Sequence, residues 1–204
     1  MYSYDELIKE VTNNIYICRK LVIIINGNGK SGKDFLINSL IDRGLHILNE
    51  SAIDPIKIIL QSNGIWDGKK DQKGRQLLAS TKTVFDEYND FTTRYIINKF
   101  NSFVNEKNES IMFIHCGTLK QIRLFKKLFK QSCHVKSLYI DSLSTDTCTD
   151  DPRYINGEDA DMHNYDLYFM NVYSTKDEDI KKNCDDFYKI IMDVCNERNT
   201  GCGD

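Results

Sequence analysis

Gly27-Asn28-Gly29-Lys30-Ser31-Gly32-Lys33-Asp34 directly follows the apolar run Leu21–Ile25. The next segment, Phe35–Ile41, has a composition typical of a helix. A buried strand, a glycine-rich turn and the start of a helix together form a cradle for phosphate. Glycines let several backbone N–H groups point at one anion, and the helix dipole adds positive potential at the same place.

The turn matches the Walker A pattern, in which a lysine reaches the β- and γ-phosphates of a nucleoside triphosphate. Lys33 occupies the lysine position, and Asp34 stands where serine or threonine usually ligates Mg²⁺. We therefore predict a nucleotide-binding site formed by eight consecutive residues: Gly27, Asn28, Gly29, Lys30, Ser31, Gly32, Lys33 and Asp34.

Two other interpretations of this stretch stay open. One is a plain strand-to-helix turn that happens to be rich in glycine and lysine. The other is a dinucleotide-binding turn, because Gly27, Gly29 and Gly32 also satisfy G-x-G-x-x-G, and Glu50 falls near the position of an acidic ribose partner. That fingerprint has no use for Lys33 beside the pyrophosphate, and the chain leaves little length for a separate substrate domain.

Composition indicates an ordinary globular protein. The chain has 204 residues, 41% hydrophobic and 28% charged, with a formal net charge of -3. That charge gives no electrostatic reason to expect nucleic acid or an anionic membrane as partner. The N-terminus lacks the features of a secretory signal, and the run Leu21–Ile25 is too short to span a bilayer.

Cysteine usage favours a reducing compartment, and we expect a cytoplasmic protein. The seven cysteines are odd in number, irregularly spaced and without a C-x-x-C pair, which argues against a disulfide framework or a zinc site. They are Cys18, Cys116, Cys133, Cys148, Cys184, Cys195 and Cys202. Oligomeric state leaves no signal in the sequence.

Hydrophobic periodicity predicts strands near 20–26, 45–49, 111–115, 135–140 and 167–170, with helices between them and an added helix over 4–17. Gly44 is expected to end the helix after the turn, and the tail from residue 196 to be frayed. Strands separated by helices predict an α/β fold of three layers, with a five-stranded parallel sheet covered on both faces. Ligands of such folds bind at the carboxyl ends of the strands.

We interpret residues 1–204 as a single domain with a core at 20–49 and 106–195. Two segments interrupt this core, a helical insertion at about 50–105 and a polar, acidic segment at about 141–164. Ser51 or Asp54 is expected to cap the first helix of the insertion. A long helical region is expected from about 76 to 105, with a break near Asn89-Asp90. Trp66, the single tryptophan, is expected to anchor the insertion against the core, with stacking on a base as the alternative.

The ending Ser31-Gly32-Lys33-Asp34 resembles one branch of the P-loop kinases. Animal-type phosphomevalonate kinases and phage-type deoxynucleoside monophosphate kinases carry a similar ending. The order of turn, insertion and acidic segment is similar to that of nucleoside monophosphate kinases across residues 20–195. The stretches Ser51–Lys57 and Trp66–Arg75 resemble uncharacterised bacterial kinase-like proteins of this branch.

This resemblance implies ATP and Mg²⁺ as cofactors, with Lys33 on the β- and γ-phosphates and Asp34 at the metal or the acceptor. It implies that the insertion binds a small phosphorylated acceptor and that the acidic segment acts as a lid. An acceptor phosphate needs cations of its own, because two anionic substrates repel each other. The acceptor-binding candidates are Asp54, Lys57, Lys69, Lys73, Arg75 and Arg94, with Arg75 first because its planar fork can bind phosphate through two bonds.

The sequence departs from the kinase pattern at two places. The third strand ends in His115-Cys116 without Arg or Asp, and the expected lid has Arg153 as its only Lys or Arg. Arg153 is therefore the one lid candidate for stabilising a phosphoryl-transfer transition state, a catalytic role beside Lys33 and Asp34. The expected function is transfer of the ATP γ-phosphoryl group to a nucleoside or deoxynucleoside monophosphate. A nucleotide-binding regulatory protein without turnover is the alternative.

Overall fold

The computed structural model describes residues 3–11, 18–108, 110–143, 159, 161–172 and 174–200. Five strands and seven α-helices occur in these residues. The strands are β1 (Cys18–Asn26), β2 (Ile47–Ser51), β3 (Ile111–His115), β4 (Cys133–Leu143) and β5 (Leu167–Val172). The helices are α1 (Tyr4–Glu10), α2 (Lys33–Ile41), α3 (Asp54–Ser62), α4 (Gln72–Asn89), α5 (Phe91–Asn105), α6 (Leu119–Phe129) and α7 (Asp177–Thr200), and a 3₁₀ helix covers Met162–Asn164.

The chain divides into two compact units. The first comprises the described residues of 1–14 and 50–106, which include α1, α3, α4 and α5. The second comprises the described residues of 15–49 and 107–204, which include the greater part of the sheet. The helices of the predicted insertion thus belong to the first unit, and the glycine turn belongs to the second.

The sheet of the α/β fold has the strand order β2-β3-β1-β4-β5 and is parallel, as predicted. β1 is the central strand: Leu21 pairs with Ile111 of β3 on one side and with His134 of β4 on the other. Residues 21–25 are fully buried, because both neighbours of β1 are strands and both of its faces are covered. β1 therefore delivers the glycine turn to the middle of the carboxyl edge of the sheet.

Alternate residues of β1 face two different helical layers. Leu21, Ile23 and Ile25 pack in one apolar cluster with side chains of α2 and α7, including Leu36 and Phe187. α6 lies on the opposite face, because its Lys126 contacts Ser137 of β4, whereas the adjacent Leu138 belongs to the α2–α7 cluster. Helices on both faces of the sheet give the predicted three layers.

The first unit has a smaller apolar cluster of its own around Trp66. The indole is 7% exposed, packs with Ile56, Leu60 and Leu78, and donates its Nε1–H to the Lys69 carbonyl at 2.8 Å. The indole is therefore buried among residues of the first unit itself, which disfavours stacking on a base, and its anchoring against the core stays a prediction.

The predicted break between two helices of the first unit is confirmed at Asp90. This residue adopts a left-handed backbone, with φ 51° and ψ 37°, between α4 and α5. Asp86 bridges the break, because its carboxylate accepts the Thr92 N–H at 2.8 Å.

Some predicted element boundaries are wrong, for local reasons. The strand predicted at 45–49 begins at Ile47, because the Leu45 N–H bonds back to Leu40 and, with Gly44, closes the end of α2. The helix α4 begins at Gln72 rather than near 76, since Asp71 caps it. The backbone N-cap of α3 is Ile53 rather than Ser51 or Asp54, although the Asp54 carboxylate accepts the Ser51 N–H.

The two ends of the chain also differ from expectation. The helix α1 ends at Glu10, where Val11 turns extended, and residues 12–17 of the predicted helix lie outside the described residues. The predicted frayed tail is helical up to Thr200, and Lys136 of β4 pairs with Glu197 at 3.2 Å. No helix in the described parts of the chain is long and apolar enough to cross a bilayer. The four cysteines with described side chains are buried, and none of them is in a disulfide bond: Cys116, Cys133, Cys184 and Cys195.

Asp166 joins α6, β4 and the start of β5. Its carboxylate accepts hydrogen bonds from the Lys126 ammonium at 2.7 Å and from the Ser137 N–H at 2.6 Å. Burial would by itself raise the pKa of Asp166, but the hydrogen bonds from Lys126 and Ser137 outweigh it and lower the pKa below the ordinary value of 3.8. A carboxyl group with a lowered pKa stabilises the fold while ionised, and this contribution is lost as the pH falls through the folded-state pKa.

We expect the Asp166→Asn variant to unfold at lower urea than the parent at pH 6, because it loses an ion pair and an acceptor for Ser137. The difference should narrow as the pH falls from 3.8 through the lower folded-state pKa, because protonation of the carboxyl group then removes the ion pair from the parent as well. Asp186→Asn, at an exposed position of α7, is the matched control. A difference between parent and Asp166→Asn that stays constant from pH 6 to pH 3 would contradict the assignment.

Candidate nucleotide-binding site

The first half of the glycine turn lies against the backbone of β4. Gly27 has a φ of 142°, and a Cβ atom at this position would lie 2.0 Å from the Ile140 carbonyl oxygen. A side chain here would displace either the turn or the central part of the sheet. The close approach fixes where the chain leaves β1 and makes glycine necessary at position 27.

The second half of the turn is held by β5 and α7. Gly32, the N-cap of α2, has a φ of 78°, and a Cβ atom there would lie 2.3 Å from Asn171 Nδ2. The same Nδ2 group donates to the Ser31 carbonyl at 2.9 Å, and Asn183 donates to Asn171 Oδ1 at 2.6 Å. The turn is therefore gripped on both sides, by β4 at its start and by β5 and α7 at its end.

The N-terminus of α2 opens directly from this turn. No side chain caps the helix, and the first helical bond runs from the Leu36 N–H to the Gly32 carbonyl at 2.9 Å. The first N–H groups of a helix have no partner within the helix, and they attract an anion together with the helix dipole. An uncapped helix start behind a curled glycine turn is the geometry that binds a phosphate group.

Lys33 folds over the turn. Its Nζ donates to the carbonyls of Gly27 and Asn28, each at 2.7 Å, and to Ser31 Oγ at 3.0 Å. Burial lowers the pKa of Lys33 to about 8. The neighbouring Asp34 carboxylate favours the charged form and opposes this shift in part. The ammonium group thus stands at the mouth of the turn with neutral partners, and an incoming phosphate would offer it a stronger, charged one.

Asp34 lies beside the ends of two strands. Its side chain is 76% exposed, and its Oδ1 lies 3.6 Å from His115 Nε2 at the end of β3. His115 Nε2 also lies 2.8 Å from Asn49 Oδ1 of β2. In place of the Arg or Asp missing from the third strand, the structure brings His115 next to the predicted metal ligand and Asn49 next to His115.

Asp34 fits the requirements of Mg²⁺ as a single protein ligand. Magnesium in nucleotide sites is usually held by one or two carboxylates together with substrate phosphates and water. Asp34 offers an exposed carboxylate adjacent in sequence to Lys33. Within the described residues, no group of three or more His, Cys, Asp or Glu side chains converges as a metal site, so the fit depends on Asp34 and on oxygen atoms from a ligand.

The predicted acceptor residues all belong to the first unit, and most have local partners. Asp54 and Lys57 form an ion pair of 2.6 Å in the first turn of α3. The other contacts are Lys69 with Asp67, the Arg75 Nε with the Lys70 carbonyl, and Arg94 with Glu10, and Lys73 is exposed. Among the described contacts, Asp54 and Lys57 are the only two of the six that touch each other, and the acceptor clamp stays a prediction.

The predicted lid is described only at its two ends. Arg153 lies outside the described residues, as do Asp146, Asp150, Asp151 and Glu158. At the far end, the Asp159 carboxylate accepts the Leu119 N–H at 2.6 Å, at the start of α6.

Sequence analysis missed several polar residues that support the turn. They are Asn26, Asn49, Asp159, Tyr165, Asn171 and Asn183. Asn26 carried a local signal, as a polar residue that ends a buried apolar run. The others carried none, because their partners are distant in sequence: 66 residues separate Asn49 from His115, and 140 separate Ser31 from Asn171.

Comparison with known proteins identifies no family. No family model matches the chain. No curated protein matches it either. Among solved structures, the chain is similar to a cysteine-to-alanine mutant of the APS kinase CysC of Mycobacterium tuberculosis. The identity is 11%, the match covers 87% of this chain and 98% of that chain, and the TM-score is 0.38, so the likeness carries no argument about function.

The lowered pKa of Lys33 predicts a pH effect on stability without nucleotide. Between pH 8 and pH 10.5 the unfolded chain binds more protons at this lysine than the folded chain, so its contribution to the free energy of unfolding rises with pH. Urea unfolding at pH 7.5 and pH 10 should show this rise in the parent and in Lys30→Met, and not in Lys33→Met. Parallel pH profiles for the parent and Lys33→Met would show that Lys33 is not buried in the turn.

Proposed function

We propose that the protein is an ATP-dependent phosphotransferase that moves the γ-phosphoryl group to a small phosphorylated acceptor. A nucleoside or deoxynucleoside monophosphate is the first acceptor to test. The observation that carries the proposal is the placement of Lys33 Nζ over the mouth of the curled turn, within 3.0 Å of three oxygen atoms of that turn.

In this proposal the turn residues grip the phosphates of ATP. The N–H groups of the turn and of the first turn of α2 face the anion, and Lys33 leaves the carbonyls of Gly27 and Asn28 for the phosphate oxygens. The ammonium group would exchange neutral carbonyl oxygens for anionic phosphate oxygens, and the Coulomb attraction between the opposite charges favours the bound state. The bond from Asn171 to the Ser31 carbonyl keeps the end of the turn in place meanwhile.

Asp34 is the ligand that we assign to Mg²⁺, directly or through water. A bound Mg²⁺ would supply positive charge that offsets negative charge on the transferring group. Asn49 fixes the ring of His115, and His115 in turn lies beside the Asp34 carboxylate. We infer that these two residues orient Asp34 in place of the acidic or basic residue found at the third strand of related kinases.

The acceptor would bind through residues of the first unit. We propose Arg75 as the main phosphate ligand, since its planar guanidinium can form two parallel hydrogen bonds with a phosphate. Lys57, Lys69, Lys73 and Arg94 are further cations for this role, and Asp54 positions Lys57. We also propose that Arg153 assists phosphoryl transfer and that the protein acts in the cytoplasm, where ATP is abundant and thiols stay reduced.

A regulatory protein that binds nucleotide without turnover is the second candidate. His115 at the end of β3 favours it, because this position brings neither an Arg nor an Asp to the site. Glu50, the ribose partner expected in the dinucleotide interpretation, does not support that interpretation. Its side chain is 8% exposed and is engaged by the Tyr95 hydroxyl at 2.7 Å and the Lys99 ammonium at 2.8 Å.

We expect the parent protein to form ADP from ATP and Mg²⁺ only when a phosphorylated acceptor is present. Lys33→Ala should lower this activity by roughly 100-fold or more, because it removes a preorganised charge at the transferring group. Lys181→Ala, at an exposed lysine of α7, is the matched control and should keep most of the activity. A coupled ADP assay with a panel of nucleoside monophosphates measures both.

Thermal melts separate the alternatives. A regulatory protein would be stabilised by ATP and Mg²⁺ and yet give no ADP above background with any acceptor. A shift of the melting temperature with NAD or NADP, and none with ATP, would overturn the phosphotransferase proposal in favour of the dinucleotide interpretation.

A further inference from the structure

A line of hydrogen bonds runs from the end of the predicted lid to the first peptide of the glycine turn. The Tyr165 hydroxyl donates to the Asp159 carbonyl at 2.6 Å and accepts from Asn26 Nδ2 at 2.7 Å. Asn26 Oδ1 then accepts the Gly27 N–H at 2.9 Å. These four residues belong to the second unit, and none of these three bonds enters the proposed mechanism.

The surroundings of this line keep its donors and acceptors in fixed roles. Asn26, the last residue of β1, is 2% exposed, so its amide depends on protein partners. The Tyr165 ring packs against Tyr139 of β4, with 5.1 Å between ring centroids. Burial raises the pKa of Tyr165, so its hydroxyl keeps the proton that it donates to the Asp159 carbonyl.

The line ends on the residue whose carbonyl also holds Lys33. The Gly27 N–H points to Asn26, and the Gly27 carbonyl accepts from Lys33 Nζ at 2.7 Å. These two groups belong to adjacent peptides, Asn26–Gly27 and Gly27–Asn28, which are joined through the Cα atom of Gly27. The Asn26 amide fixes the first peptide and so restrains the backbone that presents the Gly27 carbonyl to the lysine that the mechanism uses.

The other end of the line is anchored as well. Asp159 accepts the Leu119 N–H at the first residue of α6, so its carbonyl faces Tyr165 from a fixed point. Tyr165 thus ties Asp159 to the end of β1. A phenylalanine at position 165 could keep the ring contact with Tyr139 and would lose both hydrogen bonds, which separates the role of the hydroxyl from packing.

We propose that Tyr165 is a positioning residue of the phosphate-binding turn, acting through Asn26 on the backbone of Gly27 and so on Lys33. Its hydroxyl keeps the turn in the conformation that accepts a nucleoside triphosphate. The identity of the ligand in this role rests on the proposed function. The restraint on Gly27 does not, because its hydrogen bonds are present in the free protein.

The test compares Tyr165→Phe with Tyr168→Phe. Tyr168 also stacks near Tyr139, but its hydroxyl bonds to Asp141 at 3.3 Å, outside the line. In nucleotide-free protein, we expect amide hydrogen exchange at Gly27 to be about threefold to tenfold faster in Tyr165→Phe, the factor that corresponds to one lost hydrogen bond. Tyr168→Phe should leave exchange at Gly27 unchanged.

Nucleotide affinity gives the second measurement. The dissociation constant for a non-hydrolysable ATP analogue with Mg²⁺ should rise about threefold to tenfold in Tyr165→Phe. Because Tyr165 acts through Asn26, the double variant Asn26→Ala/Tyr165→Phe should bind no more weakly than Asn26→Ala alone.

The outcomes separate this proposal from the proposed function. Exchange at Gly27 that is unchanged in Tyr165→Phe, or equally faster in Tyr168→Phe, overturns the positioning role. Additive losses of affinity in the double variant also overturn it. If the parent binds no ATP analogue, the proposed function fails, and Gly27 exchange alone decides whether Tyr165 restrains the turn.

Discussion

The Ile140 carbonyl oxygen occupies the space where a side chain at position 27 would begin, and the rest of the site depends on this close approach. Because Gly27 has no side chain, β1 can continue directly into the turn while it stays paired with β4. The turn then reaches α2 at the position where Asn171 and Asn183 hold its far end. The curled backbone is thus imposed by β4, β5 and α7 together, and the glycine spacing permits it.

The site gathers groups from the carboxyl ends of several strands. Asn26 ends β1, His115 ends β3, and Asn171 lies near the end of β5. Parallel strands bring these ends to one edge, so residues far apart in the chain surround a single turn. Lys33 gives this edge its buried positive charge, while Asp34 gives it an exposed negative one. Opposite charges on adjacent residues suit a ligand that combines polyphosphate with a metal ion.

Sequence alone predicted features whose causes are local. The apolar run of β1, the glycine turn and α2 follow one another directly, so pattern and geometry coincide there. The break at Asp90 was predictable for the same reason. The boundary of β2 was not, because it depends on the Leu45 N–H closing the end of α2.

Polar contacts across the sheet escaped prediction for another reason. A hydrogen bond such as that between Asn26 and Tyr165, which are 139 residues apart, leaves no periodic trace in a sequence. At the acceptor residues, by contrast, the sequence predicted a phosphate clamp from positive charge alone. The folded chain gives Lys57 and Arg94 carboxylate partners nearby, which a list of basic residues cannot reveal.

Each of the two units carries its own optical or chemical reporter. Trp66, the single tryptophan of the chain, is buried in the apolar cluster of the first unit. The buried thiols Cys116, Cys133, Cys184 and Cys195 all belong to the second unit. Indole fluorescence therefore follows the unfolding of the first unit. The reaction of these four buried thiols with a thiol reagent follows the opening of the second unit. The order in which the two units unfold can thus be measured without an engineered probe.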